Sequence, residues 1–241
     1  NKPRWVETVT QSYDDNYKVQ KKLQVDLTHR CSLGCPKCMR FETNWTEPTT
    51  KKKYKFANHA IKKSELSISD FKKIFEENPH MGKGDVDFCG TWGDAIYHPD
   101  FIEICRIIKD AGAHINIATN GSRKRAEWWD ELYNILDPIN DSIVFAMDGL
   151  KDTADMYRKF IIYDDVITAM TKGVDAGFIK SRWSFIVFRF NQHQVEEAKQ
   201  LAKNIGITFE LVKSHRWDGP NDPYMPTKEW LPQSIIKEYN L

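Results

Sequence analysis

Apolar positions along the chain fall into a repeating rhythm, in which short runs rich in Val, Ile, Phe or Thr are followed by longer segments with helical spacing. Strands are expected at residues 22–28, 86–89, 115–119, 143–147, 183–190 and 208–212. Helices are expected at 69–77, 99–111, 126–136, 165–176 and 195–205. The punctuation agrees with this reading. Ser69 is placed to cap the first helix, Pro99 lies in the first turn of the second, and Gly112, Gly177 and Gly206 each follow a helix end. Six strands alternating with helices call for a parallel sheet with right-handed crossovers. The expected fold is therefore α/β, a partial (β/α)6 barrel, with a doubly wound open sheet as its rival. In either arrangement ligands gather at the carboxyl ends of the strands.

Two stretches break the rhythm. Residues 40–63 form a polar, aromatic-bearing insertion, long enough for a loop to carry a function of its own. Residues 214–241 hold Pro220, Pro223, Pro226 and Pro232 and read as an extended tail packed on the core through its Trp residues. The expected organisation is one domain at 1–213 with the tail at 214–241. Composition narrows the class without naming a partner. With 241 residues, 41% apolar and 29% charged, and a net charge of +1, the chain is a globular protein whose overall field favours neither polyanions nor polycations. Only Lys51–Lys53 with Lys55 makes a local basic run. No stretch approaches the ~20 apolar residues of a membrane span. The start at 1–6 has neither an apolar signal core nor an initiating Met.

Five cysteines, three of them inside eight residues, point to metal ligation rather than to a disulfide framework, and hence to a reducing cytoplasm. Cys31, Cys35 and Cys38 follow directly on the first expected strand, with Gly34 and Pro36 letting the backbone curl. Thiolates are the soft, anionic ligands that iron–sulfur clusters take, and three of them for four irons leave one iron open for chemistry. The competing reading is a structural zinc knot with His29 or His59 as fourth ligand, a non-catalytic metal-binding module. Cys89 and Cys105 lack metal spacing and read as small core residues.

Cys-x3-Cys-x2-Cys after the first strand of a β/α chain resembles the radical S-adenosylmethionine (SAM) superfamily. The resemblance implies a 4Fe-4S cluster on Cys31, Cys35 and Cys38 whose open iron binds SAM, and reductive cleavage of SAM to methionine and a 5'-deoxyadenosyl radical. It extends to other strand ends. Gly93 and Asp94, in Cys89-Gly-Thr-Trp-Gly-Asp-Ala, are similar to the Gly and Glu of the family's Gly-Gly-Glu-Pro segment, with Gly93 expected to let backbone approach the ligand and Asp94, or the nearby backbone carbonyls, expected at the SAM ammonium. Thr119 and Asn120 resemble its Thr-Asn-Gly, expected at ribose and carboxylate. Asp148 and the later Arg158 resemble a Ser-x-Asp-Gly segment followed by an Arg, with Asp148 expected either at a ribose hydroxyl or as the cap of the turn at Gly149. Arg189 is expected to fork onto a carboxylate. Lys37 stands where the family usually has an aromatic residue near the adenine, and its stem is expected to cover a ring face. Ala95 and Ala146 also depart from the pattern.

The core from about residue 20 to 213 is similar to radical SAM peptide and protein maturases of the SPASM/twitch type, without their cysteine-rich C-terminal extension. That likeness implies hydrogen abstraction from a peptide or protein, fed by an external electron donor such as a flavodoxin or ferredoxin. A nucleoside- or nucleotide-modifying enzyme is the alternative, with Lys51–Lys55 meeting phosphate.

Overall fold

The computed structural model describes residues 22–46, 53–57, 65–215 and 217–241. Its elements are β1 (Lys22–Gln24), β2 (Phe41–Thr46), β3 (Lys53–Ala57), α1 (Ile68–Glu77), β4 (Asp85–Phe88), α2 (Phe101–Asp110), β5 (His114–Thr119) and α3 (Ala126–Ile135). They continue with β6 (Ser142–Ala146), α4 (Ala154–Tyr157), α5 (Tyr163–Asp175), β7 (Arg182–Ile186), α6 (Val195–Ile205), β8 (Thr208–Val212) and α7 (Gln233–Glu238). Six strands form one sheet in the order β1-β4-β5-β6-β7-β8, every pair parallel. Each new strand joins on the same side as the last, so the sheet winds one way as a barrel does. Among the described residues β1 and β8 do not pair, and the barrel stays open.

Packing explains the helices. On α2, Phe101, Ile104, Cys105 and Ile108 are buried at a spacing that puts all four on one face. Each such apolar side chain contributes about 1.5–3 kcal/mol by leaving water. Cys105 is a core residue, as expected. The amino end of the sheet is tied by buried Asp141, whose Oδ1 accepts from Ile115 N (2.8 Å) and Lys109 Nζ (2.9 Å).

Several boundaries differ from the expectation, each for a local reason. The cap of α1 is Ser67 rather than Ser69, because Ser67 and Asp70 bond reciprocally in a capping box. The first strand stops at Gln24, since Thr28 Oγ1 (2.5 Å) and Arg30 Nη2 (2.9 Å) bind Glu65 and draw the chain out of the sheet. The fifth stops at Ile186. There Asn191 folds back, accepting from Phe188 N at 2.7 Å and donating to Ile186 O at 2.9 Å. The insertion at 40–63 holds an antiparallel hairpin, β2 with β3, where an irregular loop was expected. Residues 214–241 are less extended than expected. They include α7 and build a small apolar cluster of Phe188, Trp217, Met225, Leu231 and Ile235.

Trp183 is fully buried and donates its indole N–H to Met147 O at 2.8 Å, at the carboxyl end of β6. Trp183→Phe keeps most of the apolar bulk and strands that carbonyl. A loss of about 1–3 kcal/mol is expected, read as a lower denaturant midpoint at unchanged slope. An unchanged midpoint would show that the carbonyl has another partner.

Candidate functional site

The chain leaves β1 and forms the cysteine loop at the carboxyl end of the sheet. Cys31, Cys35 and Cys38 are half-buried and none is in a disulfide. The loop is pinned at several points. Cys38 N donates to Cys35 O (3.2 Å), Gly34 N donates to Lys159 O (3.1 Å), and Arg40 Nη1 donates to Leu33 O (3.2 Å). The Cys31 sulfur accepts from Leu33 N at 3.5 Å and from Asn120 Nδ2 at 3.6 Å. Burial pushes the Cys31 thiol up to about 12, with the Asp94 charge adding to it. Burial also raises Cys35, and the Arg158 guanidinium works the other way.

Gly93 and Asp94 buttress this loop from β4. A Cβ on Gly93 would lie 2.0 Å from Thr28 O and 2.9 Å from Arg30 O. Glycine is required there for the close approach of the cysteine loop's own backbone, where the sequence suggested approach of a ligand. Asp94 N donates to Arg30 O at 2.7 Å. The Asp94 carboxylate is buried and turned toward β5: Oδ2 accepts from Thr119 Oγ1 (2.9 Å), Asn120 N (2.8 Å) and Asn120 Nδ2 (2.5 Å). Its Oδ1 takes one longer bond, from Ile96 N at 3.4 Å. Burial lifts its pKa to about 6 against these donors. Thr119 and Asn120 are buried with it, and the Asn120 amide reaches both the carboxylate and the Cys31 sulfur.

On the other side of the loop, buried Asp148 accepts from Arg158 Nε (2.6 Å) and from Ile186 N (2.7 Å), linking the ends of β6 and β7. Burial opposes the Arg158 charge, but Asp148 and Cys35 outweigh it and the guanidinium stays cationic. Gly149 follows at φ 131°, and a Cβ there would meet Thr153 Oγ1 at 2.3 Å, so the turn after Asp148 needs glycine.

Two expected residues lean elsewhere. Lys37 Nζ pairs with Asp222 and with Asp218 (3.1 Å), beside the Trp217 ring. Arg189 donates from its backbone to Tyr224 O and from Nε to Met225 O, both at 3.0 Å. Both side chains face residues 214–241. Two residues gain importance. Arg158 was singled out only as the Arg that follows Asp148. Tyr97, whose hydroxyl meets Ser32 Oγ (2.7 Å), Asn120 Oδ1 (3.2 Å) and Ser122 O (2.5 Å), carried no sequence signal.

Three thiols on one loop are the soft donor set that an iron–sulfur cluster takes. Among the described residues no three His, Cys, Asp or Glu side chains gather to hold one metal ion. A zinc knot needs its thiolates about 2.3 Å from a common centre, whereas a four-iron cluster takes each thiolate on a different iron. His59, with Lys51 and Lys52 of the basic run, lies outside the described residues.

Residues 25–203 match the family model described as the radical SAM superfamily. The chain belongs to that superfamily. It is 26% identical over 196 residues to the PqqA peptide cyclase of Ruegeria pomeroyi, covering 80% of this chain and 47% of the relative. It is 22% identical over 208 residues to the tungsten-containing aldehyde ferredoxin oxidoreductase cofactor-modifying protein of Pyrococcus furiosus, covering 80% and 51%. The chain thus spans about half the length of the curated relatives it matches. In three dimensions it is similar to SuiB of Streptococcus suis bound to S-adenosylmethionine, with a TM-score of 0.64 at 13% identity over 91% of this chain and 45% of that one. SuiB bound to its precursor peptide SuiA superposes at 0.55 with 15% identity, over 79% and 38%. The radical SAM partial barrel is therefore the fold of this chain. Among the described residues no helix is long and apolar enough to cross a membrane.

The raised pKa of Asp94 has a signed consequence. Between its ordinary value, near 4, and about 6 the folded state binds the proton more tightly than the unfolded chain, so stability falls as pH rises through that window. The contribution is about 3 kcal/mol. Asp94→Asn removes it, and the stability of Asp94→Asn relative to wild type is expected to improve from pH 4 to pH 7 in denaturant unfolding. A difference independent of pH would contradict the buried-carboxylate account.

Proposed function

We propose that the chain is a radical SAM enzyme that abstracts hydrogen from a peptide or protein. The observation that carries this is the presentation of three unpaired cysteines on one pinned loop at the carboxyl end of β1, with Asn120 Nδ2 directed at the Cys31 sulfur. Cys31, Cys35 and Cys38 would hold a 4Fe-4S cluster. When bound, the cluster supplies, through its open iron, a binding point for SAM and the electron that splits it into methionine and a 5'-deoxyadenosyl radical.

The chain's own residues bind, orient and shield. Asp94, Thr119 and Asn120 form a buried brace that fixes the Cys31 side of the loop, and Oδ1 of Asp94 keeps spare capacity for a cationic donor such as the SAM ammonium. Arg158 places a buried positive charge beside Cys35, suited to the SAM carboxylate and to the negative charge of a ligated thiolate. Asp148 holds that guanidinium in place and is the group for a ribose hydroxyl only if the Arg158 pair yields an oxygen.

A peptide substrate is supported by the likeness to the peptide cyclase and to SuiB, and by the surroundings of the loop. Met39, next to Cys38, and Phe160, whose ring packs against Gly34, stand exposed beside the cysteine loop. An apolar rim suits the side chains of an extended chain better than a nucleotide. We assign residues 1–213 to the catalytic core and 214–241 to a segment packed on it. An external flavodoxin or ferredoxin is the proposed electron donor, and the free thiols suit a reducing cytoplasm.

Anaerobically reconstituted protein should carry about four irons per chain and release 5'-deoxyadenosine and methionine from SAM under dithionite, measured by mass spectrometry. Cys35→Ala should lower that release by about 100-fold or more, because losing one of the three protein ligands leaves the cluster incompletely held. Cluster-loaded protein that never cleaves SAM, with candidate peptides present, would end the proposal.

A further inference from the structure

Lys37 lies between two expected cluster ligands, Cys35 and Cys38, and its ammonium reaches the segment 214–241. It is held by Asp222, whose side chain is fully buried, and by the exposed Asp218. Asp222 is itself fixed, accepting from Asp218 N at 2.8 Å and from Tyr224 N at 2.9 Å. Tyr224 then meets Tyr157 with ring centroids 5.5 Å apart, and Tyr157 stacks on Phe188 at 4.4 Å. A second connection returns to the loop: Tyr157 directly precedes Arg158 and Lys159, and Lys159 O accepts from Gly34 N. The cysteine loop and the segment 214–241 are therefore joined twice, once by a charged clasp and once through an aromatic stack.

We infer that the Lys37–Asp222 clasp makes the C-terminal segment a wall of the cluster site, coupling occupancy of the cysteine loop to the seating of residues 214–241. Lys37 and Asp222 are positioning residues in this scheme. Ligation of Cys35 and Cys38 fixes the backbone on both sides of Lys37, which lowers the cost of holding its ammonium at Asp222. Linkage is reciprocal, so a seated segment favours a loaded loop to the same degree. The clasp gives the lysine at this position two acidic partners in the tail, with the Trp217 ring beside them. The inference rests on the cluster reading of the three cysteines.

Limited trypsin digestion of the full chain, followed by mass spectrometry of cuts between residues 213 and 228, tests it on iron-loaded and iron-free protein, with iron content measured in each. Loading should slow these cuts about fivefold or more in the wild type. In Lys37→Met and in Asp222→Asn, loaded to equal iron content, the slowing should vanish, while Lys37→Arg should retain it. A merely structural contact would speed the cuts in loaded and iron-free protein alike, leaving their ratio unchanged, and that result overturns the inference. Equal rates in loaded and iron-free wild type also overturn it. Wild-type protein that takes up no iron fails the cluster reading instead, and takes the inference with it. Should Lys37→Met not fold, Asp222→Asn and Lys37→Arg still decide the matter.

Discussion

The Asp94 carboxylate takes hydrogen bonds from Thr119 and Asn120 at the end of β5, while its own backbone N–H goes to Arg30 in the cysteine loop. Three separate stretches of chain thus meet at one buried charge. Desolvating a carboxylate is costly, and the donors offset it only in part, since burial still lifts the Asp94 pKa to about 6. The donors present come from positions that must be in register for the sheet to exist, since Thr119 is the last residue of β5 and pairs with Phe145 of β6. Sheet formation and assembly of the loop support are one event. Asn120 extends the chain of dependence by giving its amide to both Asp94 and the Cys31 sulfur.

On the opposite flank Asp148 and Arg158 repeat the device with a different balance. Here the buried carboxylate is matched by a buried cation, so the pair is close to neutral, and the residual field acts on Cys35. Asp148 spans β6 and β7 as Asp94 spans β4 and β5. The cysteine loop therefore sits between an acid-rich brace and a cation-bearing one. The Asp94 charge adds to the rise at Cys31, whereas the Arg158 charge works against the rise at Cys35.

The β/α alternation was legible in the sequence because period-two and helical-period runs are long and separated by glycine. The cysteine loop was legible because its spacing is short and its chemistry specific. At Gly93 the sequence did not show the neighbour that requires glycine, the backbone of residues 28 and 30, a contact between segments more than sixty residues apart. Lys37 and Arg189 also engage a tail that returns from residue 214 onward, contacts that local position does not register. The shortened ends of β1 and β7 depend on single side chains, Glu65 and Asn191, acting across the fold or back along the chain. Periodicity does not register such contacts.

The open sheet carries a cost that its catalytic end does not reveal. Among the described residues β8 pairs with β7 alone, so one row of its backbone donors and acceptors lacks a strand partner, and Leu211 is exposed on it. Such an edge is a template for self-association. The strand is short, Glu210 is tethered to Arg182, and Lys213 follows directly, placing charge where a second edge would dock. Those few charged side chains act as gatekeepers of solubility, so neutralising them would favour aggregation through this edge without disturbing the strand ends where the cysteines lie.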